Sequence, residues 1–251
     1  MSENSANSGA KRRVALVTGG SGGIGRAVVQ RLADDGYAIG VHYSGNRERA
    51  QEIVHQVTAN GGEAISVQAD ISDDAAMAEA FGDVESAFGN VDVVVNTAGI
   101  MLLSTVQELD LSDFDRMMKT NVRGTFVVSQ LAAQRVAQGG ALINFSTSQT
   151  RLQHPTYAAY AASKAAVESL TLVLARELRG RDITVNTVAP GPTATELFLD
   201  GKEQQLVDRL ASLSPLERLG TPEDIAEVVA FLAGPARWIN GQVVFPNGAI
   251  A

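Results

Sequence analysis

Short runs rich in Val and Ile alternate along this chain with longer Ala-rich stretches of helical spacing, and no other feature limits its fold so strongly. Strands separated by whole helices pair in parallel, with the helices crossing over the sheet faces. Strands are expected at Val14–Val17, Ala38–Tyr43, Glu63–Gln68, Val91–Asn96, Ala141–Phe145, Thr184–Val188 and Gln242–Phe245. Several are apolar without clean alternation, as in the stretch 91–95, which fits strands buried on both faces. The expectation is an α/β, doubly wound, parallel sheet of about seven strands with helices on both faces.

Helices are predicted over Ile24–Asp34, Arg47–Asn60, Asp73–Phe88, Ser112–Ala137, Thr156–Leu178 and Pro222–Leu232. Thr221 ahead of Pro222, Glu223 and Asp224 supplies an N-cap, a first-turn proline and first-turn negative charge, and Ser72 ahead of Asp73 and Asp74 is read the same way. The segment from Pro190 to about Pro215, with three prolines and weak periodicity, reads as a mobile loop or lid.

After the first strand comes Thr18-Gly19-Gly20-Ser21-Gly22-Gly23-Ile24-Gly25-Arg26, a glycine-rich turn opening into a helix. Such a turn lets the backbone approach a pyrophosphate while the helix start supplies N–H donors and partial positive charge. Its place between strand and helix separates it from a chance cluster of glycines. It makes the chain a single Rossmann-type domain over residues 11–251, preceded by a disordered polar tail at residues 1–10. An acidic residue at the end of the second strand would bond a ribose 2′-hydroxyl and repel a 2′-phosphate. Here the chain reads His42-Tyr43-Ser44-Gly45-Asn46-Arg47, and Tyr43, Ser44, Asn46 and Arg47 suit a phosphate, so NADP(H) is favoured over NAD(H).

A net charge of −8 disfavours nucleic acid as a partner, and the basic run Lys11, Arg12, Arg13 reads as a solvated strand edge. The absence of cysteine excludes disulfides, thiolate catalysis and Cys-ligated metals, and fits a cytoplasmic protein. No stretch approaches the ~20 apolar residues of a membrane span. His42, His55 and His154 lack ligand spacing, so no metal is expected.

Tyr160 and Lys164 stand four residues apart on one predicted helix, so the ammonium can lie near the phenol. A neighbouring cation favours phenolate, which would move Tyr160 down from its ordinary value near 10 toward one usable in acid–base chemistry. Tyr157 has Ala161 in that place and is read as a packing or substrate-wall residue.

With these motifs in order, the sequence resembles the short-chain dehydrogenase/reductase family, including members similar to 3-oxoacyl-[acyl-carrier-protein] reductases, from about Arg13 to Gly248. Thr18-Gly19 with Gly23 and Gly25 is similar to the family's cofactor loop, Asp70-Ile71 to its adenine-contacting pair, and Tyr160-Ala-Ala-Ser-Lys164 to its YxxxK signature. Asn96-Thr97-Ala98-Gly99 resembles the NNAG segment with Thr97 for its second Asn, and Pro190-Gly191-Pro192-Thr193 resembles the segment at the nicotinamide end.

The resemblance implies cofactor contacts from Thr18, Gly19, Ser21, Gly23, Ile24, Gly25, Asp70, Ile71, Asn96, Ala98, Gly99, Pro190, Gly191 and Thr193. It also implies a hydride transfer between nicotinamide and a carbonyl or secondary alcohol, with Tyr160 passing the proton, Lys164 holding the ribose and Asn121 ordering a water. Its third catalytic group, a serine in the family, falls on Thr147 by the family interval, with Ser146 next and Ser148 open to a register shift; a threonine hydroxyl serves equally.

The family's assembly implies a homotetramer, although the terminal PNGAIA departs from its usual double glycine. The pocket is expected from Met101, Leu102, Arg151, Gln153, His154 and the 194–215 segment, where Leu197, Phe198 and Leu199 point to a partly apolar small-molecule carbonyl compound. A 3-oxoacyl thioester, a polyketide- or steroid-like ring and a sugar all fit. The alternative is a catalytically silent nucleotide-binding sensor on the same fold, against which the set Tyr160, Lys164 and Asn121 argues. An extended epimerase or dehydratase is expected to need a further substrate region after the last strand, predicted here at Gln242–Phe245, and a methyltransferase would leave the Tyr–Lys pair without a task.

Overall fold

The computed structural model describes residues 12–251, so the expected tail at residues 1–10 lies outside the described residues. Its strands are β1 (Val14–Thr18), β2 (Ala38–Tyr43), β3 (Glu63–Gln68), β4 (Val93–Asn96), β5 (Ala141–Phe145), β6 (Thr184–Val188) and β7 (Val243–Val244). They form one seven-stranded sheet in the order β3-β2-β1-β4-β5-β6-β7. Every pairing is parallel. The order reverses between β1 and β4, which opens a crevice beyond the carboxyl ends of those strands.

Alternate residues of each strand enter opposite cores. On one face Ala15, Val17, Ile39 and Val41 pack against Val28, Val29 and Leu32 of α1 (Gly23–Asp34), Ile53 of α2 (Arg47–Ala59), and Ile225, Val229 and Leu232 of α10 (Pro222–Ala233). On the other, Val14, Leu16, Val94 and Leu142 meet Met77, Phe81 and Val84 of α3 (Asp74–Phe88), Val128 and Leu131 of α5 (Thr125–Arg135), and Leu174 of α7 (Ala158–Glu177). Burial on both sides explains the apolar strands without alternation.

Several expected boundaries move. Instead of one helix over Ser112–Ala137 there are α4 (Leu111–Met118), a π-helical turn over Lys119–Gly124, and α5. The wider turn brings Gly124 against Ile71, where a Cβ would lie 2.6 Å from the isoleucine side chain. Thr221 caps α10 as expected, and Asp224 completes a capping box with it. Ser72 does not cap α3: Asp73 accepts from the Ala76 N–H at 3.0 Å, while the Ser72 hydroxyl donates to Asp70 at 2.7 Å. The segment read as a loop contains α8 (Glu196–Leu199) and α9 (Gln204–Ser212), and α6 (Gln149–Leu152) follows β5. Among the described residues no helix is long and apolar enough to cross a membrane.

Phe81 is fully enclosed between α3 and the sheet, with the Arg135 guanidinium 5.9 Å from its ring centre. Phe81→Ala is expected to cost about 3–5 kcal/mol, read as a lower denaturant midpoint at unchanged slope.

Candidate active site

The glycine turn is built around contacts that tolerate no side chain. Gly19 has φ +64°, and a Cβ on Gly25 would lie 2.2 Å from the Gly19 carbonyl oxygen. The first turn of α1 carries no side-chain cap, and its residues Gly23, Ile24 and Gly25 line the crevice. His42, fully buried at the end of β2, ties the turn to the opposite wall. Its Nδ1 accepts from the Gly19 N–H at 3.2 Å, and its Nε2 lies 3.1 Å from the Ala69 carbonyl.

Gly19, Ser21, Gly23, Ile24, Gly25, Ser44, Asp70, Ile71, Ala98 and Gly99 line a cleft of about 1340 Å³, larger than the roughly 300–1,000 Å³ of ordinary small-molecule sites. Two hydrogen bonds from Ser72, aided by Lys119 at 3.4 Å, hold the Asp70 carboxyl below its ordinary range.

Other expected contacts point elsewhere. Thr18 and Asn96 are buried, with the Thr18 hydroxyl donating to Asn96 Oδ1 at 2.6 Å and Asn96 Nδ2 donating to Thr125 Oγ1 at 3.1 Å. They join β1, β4 and α5 and are not on the cleft wall. The Tyr43 hydroxyl turns to Gln68, and the Asn46 side chain caps α2 by accepting from the Arg49 N–H at 2.9 Å. Arg47 is exposed and off the wall; Arg49, which the sequence reading passed over, stands on it.

The cleft shares Ile24, Thr97, Gly99, Phe145 and Leu197 with a second cavity, where Thr147, Tyr160, Lys164, Pro190, Gly191 and Thr193 meet. The Lys164 ammonium donates to the Phe145 carbonyl at 2.9 Å and lies 6.0 Å from the Tyr160 ring centre. Burial pushes Lys164 down to about 8. Burial, with Tyr157 adding to it, pushes the Tyr160 phenol up to about 12, and the Thr147 hydroxyl acts in the other direction. The expected lowering of Tyr160 by Lys164 is therefore not met in the protein alone, where burial dominates and the Thr147 hydrogen bond is what acts downward.

Two of the three hydroxyls after β5 donate to the scaffold, while that of Thr147 accepts from the Gln149 N–H at 3.3 Å. Ser146 donates to Glu168 at 2.6 Å, and Ser148 donates to the Ala189 carbonyl at 3.1 Å. Thr147 sits between them, and its turn is pinned by Thr150, which donates to Glu168 at 2.8 Å. Tyr160, Lys164 and Glu168 follow at four-residue spacing along α7, so one helix face carries all three. That spacing is readable from sequence, and Glu168 was missed because its partners lie on another element.

Asn121 is buried in the π-helical turn, exchanging two 2.9 Å hydrogen bonds with the Ile100 backbone and donating to the Ser163 hydroxyl at 3.1 Å. A Cβ on Gly99 would lie 3.1 Å from Asn121 Oδ1 and 3.2 Å from Lys164 Nζ, so the bare backbone of this glycine leaves room for both side chains. Met101, Leu152, Tyr157, Leu197 and Phe198 form the apolar wall of the cavity. Leu102, Arg151, Gln153 and His154 are not on it. Arg151 stacks 3.7 Å from the Phe245 ring centre, and His154 packs edge-on to Tyr157. Leu199 lines the larger cleft. Among the described residues no group of three or more His, Asp or Glu side chains could hold a metal ion.

A parallel sheet with a glycine turn at its switch point, opening onto a Tyr–Lys helix, defines a nucleotide-dependent oxidoreductase. Residues 19–248 match the family model described as enoyl-(acyl carrier protein) reductase. The chain is 42% identical over 251 residues to an NADPH-dependent aldehyde reductase-like protein, chloroplastic, of Arabidopsis thaliana, covering 94% of this chain and 93% of that one. It superposes with TM-score 0.90 on a short-chain dehydrogenase/reductase from Serratia marcescens, at 42% identity and covering 95% and 97% of the two chains. It also superposes with TM-score 0.89 on a short-chain dehydrogenase from Burkholderia cenocepacia in complex with NADP, at 40% identity and covering 96% and 98%. The chain belongs to the short-chain dehydrogenase/reductase family, and its cofactor is NADP(H).

The His42 clamp gives the fold an acid sensitivity. Burial lowers the ring to about 4 from an ordinary 6.5. Between those values the unfolded chain binds the extra proton and the folded chain does not, so stability falls as pH drops through that window. We expect about 3 kcal/mol of the acid loss to come from this ring. His42→Asn should flatten the stability–pH curve between pH 6.5 and 4 in denaturant titrations.

Proposed function

We propose that the chain reduces an aldehyde or ketone with an apolar body, using NADPH, with Tyr160 as the proton donor to the carbonyl oxygen. The observation that carries this reading is the meeting of Thr147, Tyr160 and Lys164 in an apolar cavity that shares a wall with the nucleotide cleft. NADPH, when bound, supplies the hydride. A phenol pushed up to about 12 remains protonated at neutral pH, the form a proton donor needs. Lys164, still a cation below about pH 8, lowers the cost of the phenolate left after transfer. Thr147 is positioned to donate a second hydrogen bond to the same oxygen: Ser146 and Ser148 line the cavity as well, but their hydroxyls donate to Glu168 and to the Ala189 carbonyl.

Asn121 keeps the Ile100 backbone and Ser163 in place beside this face of α7. Leu197 and Phe198 of α8, with Leu152 and Tyr157, exclude water from the substrate body. The exposed Phe126 on α5, Leu172 and Val173 on α7, and Phe231 with Trp238 near α10 supply apolar surface for subunit contacts in a homotetramer.

The direct test is NADPH oxidation over a panel of aldehydes and ketones, with NADPH binding measured alongside. Tyr160→Phe should abolish turnover while leaving NADPH bound; turnover in that variant would sink the assignment. Thr147→Val, which removes the hydroxyl at nearly constant volume, should lower kcat by about 10²–10³. The rate of reduction should decline as pH rises past about 8, where Lys164 loses its charge.

A further inference from the structure

We propose that Arg49 is the side chain that binds the 2′-phosphate of NADP(H), and that it does so by giving up Glu196 for that phosphate. This goes beyond the reduction reading, since it depends on the cofactor and not on Tyr160. Arg49 lies in the first turn of α2, directly after β2 at the adenosine end of the cleft, and shares that wall with Ser21, Gly22, Ser44 and Gly45. The space it faces is left open by glycine: a Cβ on Gly45 would meet nothing within 4 Å, and one on Gly22 would touch only the Gly19 carbonyl at 3.4 Å. Ser44 shares the wall, but the other nitrogen-bearing candidates are occupied or misplaced. Asn46 is spent capping α2, Arg47 is off the cleft wall, and Arg26 reaches across to Gln56.

The Arg49 guanidinium is forked onto the Glu196 carboxylate, with contacts of 2.9 and 3.5 Å. That pair is exposed on both sides, 44% for Arg49 and 80% for Glu196, so it is weakly held. A phosphate carries more charge and presents the same two-oxygen geometry, and therefore competes well for the fork. Glu196 belongs to α8, whose Leu197 and Phe198 wall the catalytic cavity and whose leading Thr195 rests against Gly23. The exchange would thus release from α2 the short helix that covers the substrate.

The test is calorimetric titration with adenosine 2′,5′-bisphosphate and with adenosine 5′-monophosphate, which differ only in the 2′-phosphate. The native protein should prefer the bisphosphate. Arg49→Ala should cut that preference by about ten- to a hundredfold, and Arg47→Ala should leave it intact. The monophosphate affinity, unchanged throughout, confirms an intact cradle. Glu196→Gln should raise bisphosphate affinity by up to about fivefold, and this gain should vanish in the Arg49→Ala background. A preference that survives Arg49→Ala overturns the assignment. Bisphosphate affinity unchanged or weakened by Glu196→Gln overturns the exchange. Neither readout involves turnover, so a failure of the Tyr160 mechanism would register separately.

Discussion

The carbonyl of Gly19 approaches the Cα of Gly25 so closely that no side chain could stand between them, and much of the site is hung from that contact. It bends the chain from β1 into α1 within a few residues and sets the first turn of the helix on the wall of the crevice. The bend is braced from below, where the Thr18 hydroxyl bonds Asn96 and the Thr97 hydroxyl donates to the Thr18 carbonyl at 2.6 Å. It is braced from the side by His42. A buried polar network costs free energy unless every member is satisfied, and here the satisfied members join β1, β4, β5 and α5 at the switch point of the sheet.

The second organising element is a single helix. Residues at four-residue spacing on α7 supply a phenol, an ammonium and a carboxylate, and each has a different task. Tyr160 faces the cavity, Lys164 anchors on the Phe145 carbonyl at the end of β5, and Glu168 accepts from both Ser146 and Thr150. The helix therefore holds the turn that presents Thr147 as well as the phenol opposite it. Because the carboxylate fixes two hydroxyls with one oxygen, the register of that turn depends on a side chain two helical turns from the reacting atoms.

Strands and most helices were legible because burial writes a period into the residues: Ala15, Val17, Ile39 and Val41 on one face and Val14 and Leu16 on the other leave little choice. The π-helical turn was not legible, since residues 112–137 keep helical periodicity throughout and the widening shows only where Gly124 meets Ile71. At the site, residue types were easier to read than directions. Tyr160, Lys164 and Thr147 share one cavity, the first two named from their spacing and the third from the family interval, yet Thr18 and Asn96, named from the resemblance, and Tyr43 and Asn46, named by type, spend their polar atoms on the scaffold. The shift of Tyr160 was read with the wrong sign because a neighbouring charge is visible in a sequence and the depth of burial is not.

His42 has a further use. The Gly19 N–H can only donate and the Ala69 carbonyl can only accept, so the neutral ring must carry its proton on Nε2. One nitrogen touches the turn where the cofactor's phosphates would rest, and the other touches the residue before Asp70 on the facing wall. The imidazole is thus a native spectroscopic probe: its two nitrogen shifts would register, separately and without any added label, a disturbance of either side of the cleft.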